Sequence, residues 1–257
     1  MGKKNGKKDR RKLEKKIEKL GHKLQKSVRK HAALTGEASA RVMATDVIQG
    51  VWISPESAPA WGPGAVALPE VGRLMETIRS RRSIKRFTGQ AVSRADIDQL
   101  LEAATLAPNH KMTEPWRFYV LGPRARRAYG EALGARKASK LEDAEAAAQV
   151  VAKVAGENEA LPAVIAVAMK ASEDAERLRE DFAATFMGVQ NLCLAAAALG
   201  LGTHIKTGAV MDDPAARAAV GVADDERIVA IVNLGWPAEV PPPKNRRAAP
   251  EMTVWRD

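Results

Sequence analysis

Residues 179–208 read R-E-D-F-A-A-T-F-M-G-V-Q-N-L-C-L-A-A-A-A-L-G-L-G-T-H-I-K-T-G. Phe182, Phe186, Val189, Leu192, Cys193, Ala196 and Leu199 recur at steps of three and four, the period of a helix. Ala183, Ala184, Ala195, Ala197 and Ala198 fill other faces, so little is polar after Asp181. A helix apolar on most sides is expected to be buried on most sides, at the centre of a large domain or shared with a second subunit. Gly200 and Gly202 are expected to end it, because glycine accepts a left-handed C-cap. Thr203 to Thr207 then leaves as a short strand.

Around this helix the chain alternates helices with apolar runs. Leu161–Met169 (L-P-A-V-I-A-V-A-M) and Arg227–Leu234 (R-I-V-A-I-V-N-L) read as buried strands, and Arg117–Leu121 as a third. Helices are expected over 71–81, after the Ser93 cap, from Pro123 to about Leu133, and from Asp213-Pro214. Residues 136–155 read as an alanine-rich, charged helix with a mobile, lid-like character. Met252–Trp255 is a candidate edge strand. The pattern is α+β, with several helices around a central sheet.

The chain has 257 residues and a net charge of +10. Residues 1–30 hold 14 Lys or Arg against three acids, while the rest has 27 basic and 28 acidic residues. All the excess charge therefore sits in an N-terminal arm, residues 1–34, read as a basic helix with Leu13, Ile17, Leu20, Leu24 and Val28 along one narrow stripe. Such an arm fits a polyanion, an anionic membrane surface, a protein partner, or no partner at all. Prolines and glycines make residues 35–70 a linker, leaving 71–257 as the folded domain. No apolar run spans a bilayer and no signal peptide is recognised, so a cytoplasmic location is expected. One cysteine, Cys193, and four scattered histidines give no metal cluster.

Arg81, Arg82, Ser83, Lys85 and Arg86 place four cations and a hydroxyl within six residues. Guanidinium forks match phosphate oxygens, and lysine adds a point charge; a solvated basic turn is the equal alternative. Neither a Rossmann G-x-G-x-x-G nor a P-loop is present.

Four segments taken in order decide more than any one of them. They are Arg81-Arg82-Ser83-Ile84-Lys85-Arg86-Phe87, the loop from Ala107-Pro108-Asn109-His110 to Pro115-Trp116, the helix ending Leu199-Gly200-Leu201-Gly202, and Asn233-Leu234-Gly235 followed by Pro243-Lys244-Asn245-Arg246. In this order and spacing the sequence resembles the FMN-dependent nitroreductase family over roughly residues 71–257. It is most similar to small bacterial NAD(P)H nitroreductases, in which P-D-H-K stands where this chain has Pro108-Asn109-His110-Lys111.

The resemblance implies a central mixed sheet flanked by helices and a homodimer with FMN at the subunit interface. Arg81, Arg82, Ser83 and Lys85 would hold the phosphate, ribityl chain and pyrimidine edge, and Lys244 and Arg246 would complete the phosphate clamp. Pro108, Asn109 and His110 would come from the other subunit, and Ile205, Lys206 and Thr207 would lie along the isoalloxazine. It implies no catalytic acid or nucleophile, since the cofactor carries the hydride from NAD(P)H to a small acceptor such as a nitroaromatic or quinone. Two departures stand out: Glu114 replaces a common glutamine, and Lys206 replaces glutamate or arginine. His204 and Trp116 read as structural, and Trp236 as core or acceptor-pocket wall. The competing reading makes the basic arm the functional part, bound to nucleic acid or membrane, with the flavin fold as a dimer scaffold.

Overall fold

A computed structural model describes residues 71–256; the arm (1–34) and linker (35–70) lie outside them. The elements in order are α1 (Val71–Ser80), α2 (Arg94–Thr105), β1 (Trp116–Val120), α3 (Pro123–Ala138), α4 (Ala144–Glu159), β2 (Ala163–Lys170), α5 (Ala175–Ala198), β3 (Gly202–Lys206), α6 (Pro214–Val220) and β4 (Glu226–Gly235). Short 3-10 turns occupy His110–Met112, Ala209–Asp212 and Ala249–Met252.

The strands form one sheet in the order β1-β2-β4-β3. Every pairing is antiparallel, with Val164 opposite Asn233 and Ile205 opposite Val232. The expected mixed sheet is therefore not what the described strands make. The reason is topological. β2, α5 and β3 form a crossover whose two strands run the same way, but β4 inserts between them and runs against both. The one parallel contact is an isolated bridge, Ser83 to Thr203.

The continuous apolar runs of β2 and β4 follow from covering both sheet faces. Ile165, Val167 and Met169 pack with Ile97 and Leu100 of α2 and Val189 and Leu192 of α5. Val164 and Ala166 pack on the other face with Tyr129 of α3 and Ala216 and Val220 of α6. Ser93 caps α2 as expected, its hydroxyl accepting from the Asp96 N–H at 3.0 Å.

Four local expectations change. First, α4 is not lid-like, because it is locked against α3. A Cβ at Gly130 would sit 2.7 Å from the Ala155 Cα, and one at Gly134 would sit 2.8 Å from the Val151 Cα. These glycines exist for backbone contact. Second, only Gly200 takes the left-handed turn after α5 (φ +78°), with the Leu201 N–H reaching the Ala196 carbonyl at 2.8 Å. Gly202 is already in β3, where a Cβ would lie 2.5 Å from the Ile84 side chain. Third, α5 is not covered all round in a single chain: Phe182 and Met187 are 49% and 41% exposed. Fourth, Met252–Trp255 is not a strand. Pro250 starts a 3-10 turn there, and Trp255 is 89% exposed.

Candidate functional site

β3 is an edge strand, and its free side is where the basic segment docks. The Ile84 N–H donates to the Thr203 carbonyl at 2.9 Å, and the Ile84 side chain is only 2% exposed. The Thr88 N–H then reaches the Trp236 carbonyl at 2.8 Å, and the Ala238 N–H reaches the Arg86 carbonyl at 3.0 Å. Residues 83–88 are thus stitched between β3 and the chain leaving β4. Burying Ile84 leaves Ser83 and Lys85 exposed on either side of it, with Arg81 and Arg82 half-buried.

The charges here are not balanced. Arg86 pairs with Glu239 at 3.2 Å. Arg81, Arg82 and Lys85 pair with no carboxylate among the described residues. One Arg82 Nη donates to the Arg79 and Arg81 carbonyls at 2.5 and 3.1 Å, and its Nε is buried without a partner. A buried donor without an acceptor, beside two cations that meet no carboxylate among the described residues, is costly unless an anion meets it. The donor set suits a phosphate ester, which accepts from several N–H groups at once.

Along β3, side chains alternate. Ile205 belongs to the core on the α5 side. His204 and Lys206, one residue either way, point to the other face. Burial lowers the Lys206 pKa, helped by Lys137 and opposed by Glu157. Burial also lowers the His204 pKa, with Lys206 and Lys85 adding to it. Ile205, Lys206 and Thr207 therefore do not present one common surface.

The loop after α2 is built differently. Lys111, Met112 and Glu114 all have positive φ (56°, 50° and 43°), a conformation that costs non-glycine residues about 1 kcal/mol or more each. Hydrogen bonds hold it. The Asn109 Oδ1 accepts from the Glu114 N–H at 2.7 Å, and its Nδ2 donates to the Thr113 hydroxyl at 2.9 Å. Thr113 donates to Asp181 at 2.5 Å, and Asp181, 3% exposed, also lies 3.6 Å from Arg177. Pro108 and His110 are exposed. Asp181 lies twelve residues before Cys193, about 18 Å along the helix. Ser83 instead bridges to Thr203, just past the C-terminal end of α5. One chain therefore keeps this loop and the cation cluster at different ends of α5.

Lys244 and Arg246 lie exposed in the extended segment after β4. Trp236 is half-buried, packs against the edge of the main core and donates from Nε1 to the Ala91 carbonyl at 3.3 Å. Trp116 is buried as expected. Sequence reading missed Asp181 as a loop anchor; it closes the polar run Arg179-Glu180-Asp181, and nothing local marks it as the buried member. It also missed a cleft of about 760 Å³ between α5 and the ends of β2, β3 and β4, lined in part by Phe182, Phe186 and Thr207.

A two-faced α+β domain with unpaired cations stitched to an edge strand is a fold that fits a phosphorylated organic ligand. The nitroreductase family model matches residues 78–236. The Bacillus subtilis (strain 168) protein YfhC, assigned as an NAD(P)H nitroreductase, is 36% identical over 175 residues, covering 67% of this chain and 89% of YfhC. A nitroreductase-like family protein from Bacillus cereus superposes with a TM-score of 0.63 at 29% identity, over 72% of this chain and 96% of that one. A Desulfovibrio desulfuricans nitroreductase solved in complex with FMN gives 0.55 at 25% identity, over 75% and 99%. The chain belongs to the nitroreductase family.

Proposed function

We propose that this protein is an FMN-dependent oxidoreductase that uses NAD(P)H to reduce a small organic acceptor, nitroaromatic or quinone-like, in a ping-pong cycle. The observation that carries this reading is the set Arg81, Arg82 and Lys85, which meets no carboxylate among the described residues, together with the buried Arg82 Nε that finds no acceptor there. Bound FMN would supply the hydride chemistry. The chain's own residues do the rest. Arg81, Arg82 and Lys85 neutralise the phosphate, and the Ser83 hydroxyl adds a hydrogen bond. Ile205 and Thr207 line the end of β3 where the ring would lie, while Lys206 sets positive charge behind it. Lys244 and Arg246, exposed in the extended segment after β4, complete the phosphate clamp.

The active form in this reading is a homodimer in the cytoplasm. Leu74, Met75 and Ile78 of α1 are 54%, 40% and 42% exposed, and Met187 and Trp255 are also uncovered. A second copy would cover them. It would also bring its Pro108, Asn109 and His110 to the ring, which the separation along α5 denies to a single chain. Among the described residues no helix is long and apolar enough to cross a membrane.

The deciding experiment is the visible spectrum of the purified protein, followed by chromatography of the ligand released by heat. A flavin spectrum with FMN released near one per chain is expected. Colourless protein that takes up no added FMN overturns the reading.

A further inference from the structure

The cleft under α5 has a chemistry of its own. Phe182 and Phe186 supply an aromatic wall, their rings 4.9 Å apart. Arg179 and Arg227 stand in the same lining, and neither forms an ion pair among the described residues. Asp212 is the one acid there, so cations outnumber it two to one. Thr207 joins the lining from the end of β3. β3 and β4 run antiparallel, with Lys206 opposite Ile231, so the end of β3 meets the middle of β4, and Arg227 lies on the same strand about 13 Å nearer its start. Thr207 shares the sheet face of Ile205, and of Val229 and Met169, which also line the cleft.

We propose that this cleft is the acceptor subsite and selects planar aromatic anions, the carboxylate held by Arg227 and Arg179 and the ring against Phe182 and Phe186. The inference rests on the flavin reading above for its catalytic consequence, but not for binding. Apolar walls with a few convergent polar groups are the usual make-up of a small-molecule site. Guanidinium forks match a carboxylate in geometry as well as charge. A neutral ring would gain only the wall, while an aryl carboxylate gains both. Thr207 would place the far end of the ligand beside the stretch assigned to the flavin.

The test compares 4-nitrobenzoate with 4-nitrobenzyl alcohol, which have the same ring and nitro group but differ in charge. Reducing nitro to nitroso takes one hydride from NAD(P)H and one proton, breaks one N–O bond and releases water and NAD(P)⁺. In the full-length protein Arg227→Gln is expected to raise KM for the benzoate about tenfold, the scale of one charge-assisted hydrogen bond, and to leave the alcohol nearly unchanged. Arg227→Lys should restore part of the loss. Calorimetry with benzoate gives a readout independent of turnover: wild type binds, and the Gln variant binds about tenfold more weakly. Equal effects on both acceptors, or no benzoate binding to wild type, overturn the proposal. A protein that holds FMN and reduces neutral quinones yet ignores benzoate would sink the anion subsite alone. A colourless protein that still binds benzoate through Arg227 would sink the flavin reading alone.

Discussion

Arg81–Lys85 and the loop that opens with Pro108-Asn109-His110 are both expected to contribute to a flavin site, yet the fold treats them in opposite ways. The first segment is stitched down by its backbone and leaves its charged ends unsatisfied. The second is strained in its backbone and spends its polar side chains on itself and on Asp181 of α5. Unsatisfied groups on a rigid segment are what a ligand repays. Satisfied groups on a strained loop preserve a shape. The first segment recognises by charge, and the second would contribute by surface, through the exposed Pro108 and His110.

The largest effect should come from removing the charges. The double variant Arg81→Ala/Arg82→Ala is expected to weaken FMN binding at least about a hundredfold, since hydrogen bonds to charged groups are worth about 1.5–3 kcal/mol each. Titration of the apoprotein by flavin fluorescence quenching reads this directly. An unchanged affinity would mean that the cluster is a solvated turn.

Thr113→Val should act on stability instead. It leaves Asp181, buried in α5, without its hydroxyl donor and with Arg177 only at 3.6 Å. The expected cost is about 1–3 kcal/mol in urea unfolding, with FMN affinity moved far less than in the double arginine variant. The reverse pattern, intact stability and lost FMN, would make the loop's polar groups ligand contacts and erase the contrast.

Much of this was legible in the sequence. The strands at 163–170 and 226–235 and the helix at 175–198 follow from period and apolar continuity, and the Ser93 and Asp213 caps from their side chains. What failed has a common cause: it depended on contacts remote in the chain. Residues 136–155 read as a lid-like helix because they are rich in alanine and charge, but Gly130 and Gly134, a helix earlier, are what let the helix at 144–159 dock. Gly202 looks like a second cap because its role lies in the space it leaves for Ile84. The crossover from β2 through α5 to β3 sets those two strands running the same way, but no local pattern says that β4 will part them and make every pairing antiparallel. Arg227 and Phe182, far apart in sequence, meet only once the sheet is built.

The smallest effect probes the cation side by pH. His204 has a pKa below its ordinary 6.5 because burial disfavours its charged form and Lys206 and Lys85 repel it. At pH values below both its folded and unfolded pKa, the folded protein carries the whole cost of that charge. As pH rises through the window just under 6.5, the unfolded chain holds more protons than the folded one, so stability increases. Above the window the penalty is gone. Acidifying the FMN-free protein from pH 7.5 to 5 should therefore lower its urea midpoint more in wild type than in His204→Gln, the difference between the two isolating this residue from the carboxylates. A phosphate-bearing ligand at Arg81 and Arg82 would screen the neighbouring Lys85 and narrow that difference. Identical slopes with and without FMN would mean that His204 reports burial alone, and that the charge excess of this edge does not extend along β3 to the position of the ring.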